Sequence, residues 1–369
     1  MKKILFLSRS LGAGGAEKRM VTLARLLKAR GCEPAMVCYG GNQFFAEELK
    51  RDGIPVTWLS EGGFFKKLLI VRKIIKREHY NVCISFLPTL NILNCLASIG
   101  KGYKVIIGES SASSQFEKFM GWKYVLRAYL EDVLAYLFSD AIVSNSDNAL
   151  ELRKARSRFL ASKLITIHNP IVVQSSNKDY HIRKDGQLHI VVAASVQYIK
   201  NPMMLIEGLA MLDKKDKEQI ALDWYGNIIN EDLYNAVQEI VRKSQLESVV
   251  RFHDATNRIA EIMQESDIIA LFSIAEGLPN AICEGMMLEK PIIMTRISDY
   301  VKMVDETNGF LCDANNSTTI RDAFLSALTY SDAALLDMGK SSKEKAMRFF
   351  DPDSIAKEWK DLIDSLSEK

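Results

Sequence analysis

Residues 2–31 read KKILFLSRSLGAGGAEKRMVTLARLLKARG and contain, in order, an apolar run, a glycine-rich turn and a helical pattern. The apolar run Ile4–Leu7 stops too early for an export signal, so we interpret it as a first β-strand. In the segment after the turn, apolar residues recur every three or four positions, as in a helix with one buried face. This strand–turn–helix unit predicts an α/β fold.

The same unit recurs along nearly the whole chain. Short and almost wholly apolar runs alternate with helical patterns, which favours parallel sheets covered by helices on both faces. In the first half the later runs are EPAMVCYG (33–40), IPVTWLS (54–60), NVCISFL (81–87), KVIIGES (104–110) and DAIVSNS (140–146). In the second half they are LHIVVAASV (188–196), IALDWYG (220–226), VVRFHD (249–254), DIIALFS (267–273), PIIMTR (291–296) and NGFLCD (308–313).

These two series predict two Rossmann-like domains in tandem, since 369 residues are too many for one ordinary core. We place the domains at residues 1–168 and 188–350, joined by a polar linker at 169–187. The last helix, 352–369, begins at a cap formed by Asp351 or Asp353, and we expect it to pack back on the first domain. In such a pair, ligands bind in one cleft at the carboxyl ends of both sheets.

The composition excludes several other classes of protein. A hydrophobic content of 48% with 25% charged residues is that of a soluble globular protein, and a net charge of +2 gives no reason to expect a nucleic-acid partner. The six cysteines show no CxxC pair or zinc-ligand spacing, which indicates reduced thiols and a cytoplasmic location. The most apolar stretch, 82–100, is interrupted by Pro88, Asn91 and Asn94, so we predict a strand and a helix there and no membrane span.

Residues 276–285, EGLPNAICEG, place Glu276 and Glu284 on either side of a tight turn. One explanation is a helix start, with Pro279 in the first turn and an acid complementing the positive helix end. The other is a ligand site, because this loop directly follows a strand that ends at Ser273.

The loop and its surroundings resemble the retaining glycosyltransferases of family 4, which have two facing Rossmann domains (the GT-B fold). The resemblance rests on EGLPNAICEGM with SDIIALFS before it and KPIIMTR and ETNGFLC after it, and it extends in order to GGAEKR (14–19), SDAIVSNS (139–146), ITIHNP (165–170), KNP (200–202) and LDWYG (222–226). It implies a nucleotide-diphosphate sugar as donor on the second domain and a glycan acceptor on the first. No metal and no other cofactor is implied.

The resemblance also implies the roles of individual residues. Glu276 would orient the donor sugar and stabilise an oxocarbenium-like state, and Lys200 would neutralise the departing diphosphate, although most lysines are merely solvated. Glu284 would accept the ribose hydroxyls, and the helix start would offer N–H groups to the diphosphate. The other implied donor-binding residues are Gly277, Leu278, Pro279, Asn280, Gly14, Gly15, Asn201 and His253.

Three positions depart from patterns that the sequence otherwise suggests. Family members commonly carry an arginine five residues before the lysine, where this chain has Ser195; Arg296, Arg251 and Arg9 are candidates to replace it. A smaller residue is usual at His253. The turn GAGGAE (12–17) is not a dinucleotide fingerprint, because Glu17 stands where a third glycine is needed and would repel a pyrophosphate.

Residues 64–80, FFKKLLIVRKIIKREHY, form a basic amphipathic pattern with two explanations. The segment could lie on an anionic membrane surface, with further attraction from the aromatic segment at 116–130. Alternatively, its apolar face packs on a sheet and its charges meet water.

We therefore predict a retaining glycosyltransferase that moves a hexosyl group from a UDP-linked sugar to a lipid-linked glycan, in polysaccharide biosynthesis at the inner face of the cell membrane. Two alternatives use the same scaffold. A nucleotide-sugar epimerase would need a second acid–base pair in the cleft. A non-catalytic GT-B protein would explain the serine at position 195.

Overall fold

The computed structural model describes residues 1–12, 14–59, 62–100, 102–109, 122–173 and 181–368. The chain forms two compact units: unit 1 contains Met1–Pro170 and Asp351–Lys369, and unit 2 contains Ile171–Phe350. Each unit is a parallel sheet packed with helices, so the predicted fold class of two Rossmann-like α/β domains is confirmed. Residues 174–180 of the predicted linker and 116–121 of the aromatic segment lie outside the described residues.

Unit 1 contains a seven-stranded sheet in the order β3-β2-β1-β4-β5-β6-β7. The strands are β1 (Lys3–Ser8), β2 (Glu33–Cys38), β3 (Val56–Trp58), β4 (Val82–Ser85), β5 (Lys104–Glu109), β6 (Ala141–Ser144) and β7 (Leu164–Thr166). The helices before the domain boundary are α1 (Gly15–Ala29), α2 (Ala46–Arg51), α3 (Phe64–Glu78), α4 (Pro88–Ser98), α5 (Trp122–Phe138) and α6 (Asp147–Arg156), with a 3₁₀ turn at Arg158–Lys163.

Unit 2 contains a six-stranded sheet in the order β10-β9-β8-β11-β12-β13. The strands are β8 (Leu188–Ala193), β9 (Ile220–Tyr225), β10 (Val250–His253), β11 (Ile268–Leu271), β12 (Ile292–Thr295) and β13 (Gly309–Cys312). A 3₁₀ turn at Tyr198–Lys200 is followed by α7 (Pro202–Ala210), α8 (Lys214–Lys217), α9 (Glu231–Lys243), α10 (Ile259–Glu265), α11 (Asn280–Met287), α12 (Tyr300–Met303), α13 (Ser317–Thr329) and α14 (Asp332–Phe350).

The last helix, α15 (Pro352–Ser367), belongs to unit 1. Trp359 is fully buried against the same cluster as Ile4 and Phe6 of β1, and its ring meets Phe86 edge to face at 6.0 Å. Of the two candidate caps it is Asp351 that serves, since its carboxylate accepts the Ser354 N–H at 2.8 Å. The chain thus crosses into unit 2 and returns to complete the first core.

Unit 2 begins at Ile171, whereas the sequence predicted a linker over residues 169–187 and a second domain from residue 188. Ile171 and Ile182 are buried in the core of unit 2, at 4% and 8% exposure. Directly after Ile182, the Arg183 guanidinium donates to the Tyr330 carbonyl at 3.0 Å and contacts Asp332. Polar composition concealed these apolar anchors, because the segment has no period that would mark a buried face.

Helix α3 packs its apolar face on the sheet of unit 1, as in the second explanation of the basic segment. Val71, Ile74 and Ile75 are buried in the cluster that covers this side of the sheet. Phe65 and Leu69 remain exposed, at 76% and 60%. In the described part of the chain, no helix combines the length and the apolar character needed to cross a bilayer.

Candidate active site

The order of strands in unit 2 brings together two loops that are distant in sequence. Strand β8 lies between β9 and β11, so the chain leaves β8 on one side and returns to its other side only at β11. Ligands of open α/β sheets bind at such a reversal, at the carboxyl ends of the strands. The segments after β8 and β11 meet there, and the Ile274 N–H donates to the Ile199 carbonyl at 2.8 Å.

At this point Lys200 and Glu276 form an ion pair. The Lys200 ammonium donates to Oε1 of Glu276, and the two side chains are only 19% and 15% exposed. The Ser273 hydroxyl donates to the same carboxylate oxygen at 2.7 Å, and Thr295 Oγ1 donates to the Ser273 carbonyl at 2.6 Å. The carboxylate is therefore held by the segment after β11 and by the loop after β8, and Thr295 at the end of β12 fixes the backbone at Ser273.

This arrangement argues against a simple helix cap at the EGLPN loop. Helix α11 begins at Asn280 with Pro279 at its N-cap position and has no side-chain cap. Glu276 lies before that turn, and its described partners are Lys200 and Ser273. The acid is thus available for a ligand rather than used on the helix end.

The loop between Glu276 and α11 is fixed by a side chain from the segment after β12, by burial and by its own backbone hydrogen bonds. The Ser298 hydroxyl donates to the Gly277 carbonyl, and Leu278 is buried at 5% exposure. The Pro279 carbonyl accepts the N–H groups of Ile282 and Cys283, at 3.0 and 3.2 Å. The amides that open a helix have no earlier turn to bond to, so this N-terminus provides positive potential for an anion.

Glu284 lies in the second turn of α11 and is nearly buried, at 9% exposure. The helix is seated closely on β11, since a Cβ on Gly285 would stand 2.7 Å from Cγ1 of Ile269. A carboxylate in such surroundings is stable only when it is hydrogen-bonded. Its place one turn into the helix fits a group that receives hydroxyls from a ligand at the helix start.

Three residues seat the loop that carries Lys200, and sequence reasoning assigned no site role to two of them, Trp224 and Gly226. Trp224 Nε1 donates to the Ala194 carbonyl at 2.6 Å, and a Cβ on Gly226 would lie 2.0 Å from that same oxygen. Asn201, in the left-handed region at φ 59°, donates through Nδ2 to the Ala314 carbonyl at 2.8 Å. Trp224 and Gly226 belong to the motif LDWYG, but only the structure shows that they support the backbone at position 194. Asn201 was predicted to bind donor, and its amide here fixes the backbone beside Lys200.

His253 lies at the end of β10, which is the edge strand. Its Nε2 is 2.6 Å from Oδ1 of Asp223, and its ring stacks on Tyr225 with centroids 4.4 Å apart. These described contacts connect it to β9 and not to Lys200 or Glu276. Its role in donor binding stays a prediction.

Ser195 occupies the position of the missing arginine, and its hydroxyl accepts a hydrogen bond from the Gln197 side-chain amide at 2.8 Å. Of the candidate replacements, Arg251 is paired with Asp223 through two nitrogens, at 2.9 and 3.0 Å. Arg296 follows β12 directly and pairs with Asp313 at 2.8 Å. Arg296 is therefore the candidate that stands at the carboxyl end of a strand next to β11. The third candidate, Arg9, belongs to unit 1.

The two predicted glycines of the first turn lie in unit 1. Gly14 is the N-cap residue of α1 and Gly15 is its first residue. The Glu17 carboxylate accepts the Ser10 hydroxyl at 3.1 Å and lies against Gly14, where an added Cβ would meet Oε2 at 2.5 Å. The Glu17 carboxylate, which argued against a dinucleotide site, therefore lies at the turn itself. Among the residues that the structure describes, no group of three or more His, Cys, Asp or Glu side chains could hold a metal ion.

Two family models match the chain. Residues 13–175 match the model described as Glycosyltransferase Family 4, and residues 173–345 match the one described as Glycosyl transferases group 1. The chain is a family 4 glycosyltransferase. The predicted family and its transferase activity are thereby confirmed.

Similar proteins cover the whole length of this glycosyltransferase. It is 24% identical over 378 residues to the GalNAc-alpha-(1->4)-GalNAc-alpha-(1->3)-diNAcBac-PP-undecaprenol alpha-1,4-N-acetyl-D-galactosaminyltransferase of Campylobacter jejuni, which covers 98% of each chain. The crystal structure of Anabaena HepE in complex with UDP and glucose matches with a TM-score of 0.85 at 19% identity, over 99% of this chain and 100% of that one. Sucrose-phosphate synthase from Thermosynechococcus elongatus matches with a TM-score of 0.78 at 14% identity, over 99% of both chains. These structures support the GT-B fold.

Proposed function

We propose that this glycosyltransferase moves a hexosyl group, with retention at the anomeric carbon, from a UDP-linked sugar to a lipid-linked glycan in polysaccharide biosynthesis. The contact between the Lys200 ammonium and the Glu276 carboxylate carries the proposal. It sets a cation and an anion side by side at the N-terminus of α11. Separating a diphosphate from an oxocarbenium-like sugar needs that pairing, one charge for each fragment.

In the proposed step, the bond from the anomeric carbon to the phosphate oxygen breaks and its electron pair leaves with UDP. Lys200 and the opening amides of α11 stabilise the added negative charge. Glu276 faces the positive sugar, and the acceptor hydroxyl adds to the anomeric carbon from the same side and passes its proton to the departing phosphate oxygen of UDP. Since Lys200 contacts Glu276, we expect a bound diphosphate to take over part of the lysine's hydrogen bonding.

The other donor contacts are part of the same proposal. Glu284 receives the ribose hydroxyls, the loop from Gly277 to Asn280 faces the phosphates, and Gly14 and Gly15 approach them through their backbone. Two names among the similar proteins support the choice of substrates: HepE was crystallised with UDP, and the Campylobacter jejuni enzyme acts on an undecaprenol-linked glycan. We assign the acceptor to unit 1 and the donor to unit 2.

The lipid-linked acceptor implies work at the inner face of the cell membrane. Helix α3 is the basic element available for that surface, since Lys66, Lys73, Lys76 and Arg77 are exposed on it while its apolar face is used on the sheet. We propose that these cations attract anionic lipids, each contributing about 1 kcal/mol near the surface.

Substitution of the two acids tests the assignment. Glu276→Ala should lower kcat by about 100-fold or more with little change in donor affinity, because its interaction develops in the transition state. Glu284→Ala should mainly raise the donor Kd, measured by calorimetry with UDP. Glu239→Ala is the matched control, since that acid is exposed and pairs with Lys243, away from Lys200 and Glu284 in the sequence. Unchanged turnover in both site variants would reject the proposal.

The stereochemistry and the metal requirement are tested separately. Proton NMR of the product formed from an α-linked donor should show an α linkage, and a β linkage would contradict retention. We further propose that transfer continues in EDTA, because Lys200 and the helix end supply the positive potential that a leaving diphosphate needs. Loss of transfer in EDTA, restored by a divalent cation, would contradict this part. Consumption of donor without acceptor would instead indicate an epimerase.

A further inference from the structure

Helix α5 of unit 1 exposes its apolar side chains and buries its acids. At about 100° per residue, the exposed apolar side chains that the structure describes occupy one arc of roughly 140°. We call this surface the α5 apolar face; its most exposed members are Trp122 (71%), Leu126 (59%), Tyr129 (58%), Leu130 (49%), Tyr136 (48%) and Leu137 (59%). The opposite side, which packs inward, carries Ala128, Glu131, Asp132 and Ala135. The helix thus presents a broad apolar surface outward while both of its acids face inward.

Buried ion pairs hold the helix in this orientation. Asp132, with no exposed surface, accepts from Arg153 at 2.8 Å, from Arg156 at 2.9 Å and from the Ser157 hydroxyl at 2.5 Å. Glu131 accepts the Asn91 amide at 2.9 Å. Burial acts to lower the pKa of Arg153, but the nearby carboxylates outweigh it and raise that pKa. Rotating the helix to hide its apolar face would strip these charges of their partners, so the face is locked outward.

Such a face is not explained by the ordinary exposure of single apolar side chains. Isolated surface leucines are common, whereas a continuous apolar stripe marks a surface that meets an apolar phase or a partner. The stripe also has a line of amphipathic rings, because Trp122, Tyr129 and Tyr136 follow one another at intervals of seven residues. Trp and Tyr rings favour the boundary between membrane and water.

The surroundings of the α5 apolar face are basic. Helix α3 packs on α4, and α4 packs on α5, so α3 and α5 flank one helix on the same side of the sheet. The exposed side chains of α3 include Phe65, Leu69, Lys73 and Lys76. Both acids of α5 are buried, which leaves its outward side without a carboxylate. An anionic surface complements the basic surface that α3 and α5 form together. A second copy of the chain would instead bring the same basic surface against it.

We propose that the α5 apolar face is the part of this protein that inserts into the surface of an anionic bilayer, with the basic side chains of α3 contacting the headgroups beside it. The helix lies in the plane of the interface and does not cross it. This proposal rests on the proposed function, because a lipid-linked acceptor is the reason for contact with a bilayer. It assigns the apolar contact with that bilayer to α5 rather than to the basic helix α3.

Flotation with lipid vesicles tests the proposal. The double variant Leu126→Glu with Leu130→Glu changes two exposed side chains and leaves the buried ion pairs intact. Its partitioning onto phosphatidylcholine vesicles that contain about one-third phosphatidylglycerol should fall by about 30-fold or more, which corresponds to about 2 kcal/mol. The matched control is Leu336→Glu with Met347→Glu on α14, two side chains that are each 44% exposed. The control should float like the unchanged protein.

A second variant separates the contribution of charge from that of apolar insertion. Lys73→Glu with Lys76→Glu should weaken binding to the anionic vesicles at low salt and have little effect at high salt, where headgroup attraction is screened. Vesicle binding by the Leu126→Glu, Leu130→Glu variant equal to that of the unchanged protein would overturn the proposal. So would a stable dimer that binds no vesicles and dissociates in this variant, because a second copy would then be what covers the face.

A transfer assay without lipid distinguishes this failure from failure of the proposed function. With a water-soluble acceptor analogue, the Leu126→Glu, Leu130→Glu variant should transfer sugar as fast as the unchanged protein. If the unchanged protein transfers sugar but does not float with vesicles, only the membrane proposal is overturned. Flotation without any transfer from nucleotide-sugars would leave the membrane surface supported and reject the proposed reaction.

Discussion

Single positions in unit 2 decide whether Lys200 and Glu276 can meet. The pair depends on the course of the segment after β8, and that segment passes so close to Gly226 that no side chain fits between them. Glycine is needed here for close approach, not for an unusual backbone angle. A methyl group at this site must push away the backbone of Ala194, which Trp224 also holds.

Gly226→Ala should therefore lower the free energy of unfolding by about 3 kcal/mol or more, as overpacking against backbone does. It should also reduce transfer, because Lys200 lies on the displaced loop. Urea unfolding followed by circular dichroism checks the first effect, and donor titration checks the second. Gly102→Ala is the matched control, since nothing lies within 4 Å of its added Cβ. Equal stability of Gly226→Ala and the control would contradict the argument.

At the scale of elements, the junction of α5 and α6 depends on a buried cluster of charges. Asp132 neutralises Arg153 and Arg156 at once, and the three side chains are 0%, 2% and 18% exposed. A buried pair adds little net stability compared with apolar packing, but removing one partner leaves the other charge uncompensated.

Asp132→Ala should lower the unfolding free energy of unit 1 by about 3–5 kcal/mol, because two guanidinium groups lose their shared carboxylate inside the protein. Asp337→Ala provides the comparison, since Asp337 and Lys340 are 73% and 66% exposed and an exposed ion pair adds little to stability. Thermal unfolding of both variants measures the difference. Similar melting temperatures would show that the cluster does not hold α5 in place.

At the scale of the whole molecule, the cysteines report on both cores. All six are free and buried, with Cys32, Cys38, Cys83 and Cys95 in unit 1 and Cys283 and Cys312 in unit 2. Burial raises the pKa of Cys38, Cys95 and Cys312 to about 12 in each case. The thiolate is the reactive form, so these groups are protected both by access and by protonation.

We expect no fast reaction of the native protein with a thiol reagent such as DTNB at pH 8, and six equivalents after unfolding in guanidinium chloride. A fast equivalent in native buffer would show that one of the cores opens locally.

Stability should also fall as the pH rises above about 9. The folded pKa of Cys38, Cys95 and Cys312 lies well above the ordinary value of a thiol, so the unfolded chain loses these protons first. Each thiol then contributes a slope of at most about 1.4 kcal/mol per pH unit between roughly pH 9 and 12. A triple Cys→Ala variant should show a shallower decline in urea titrations across this range. An equal slope in both proteins would contradict the assignment to these thiols.

Much of the fold was predictable from local pattern. Apolar runs such as 267–273 and the helical repeat of 16–31 are short-range features, and their alternation identifies parallel sheets. The border at Pro170 was not predictable, because Ile171 and Ile182 are single apolar residues in a polar stretch. For the site, the motif around Glu276 and Lys200 was identified by resemblance. The supporting roles of Ser273, Trp224 and Gly226 required distances that no spacing contains.

What the sequence determined by itself is the set of strands and helices and the residues that could serve a nucleotide-sugar. What only the tertiary structure decided is which of them meet. Lys200 and Glu276 come into contact because β11 pairs with β8 although β9 and β10 lie between them in the chain. Likewise, the outward apolar face of α5 follows from its acids reaching arginines on another helix. Both outcomes depend on long-range pairing, and neither local propensity nor periodicity contains that information.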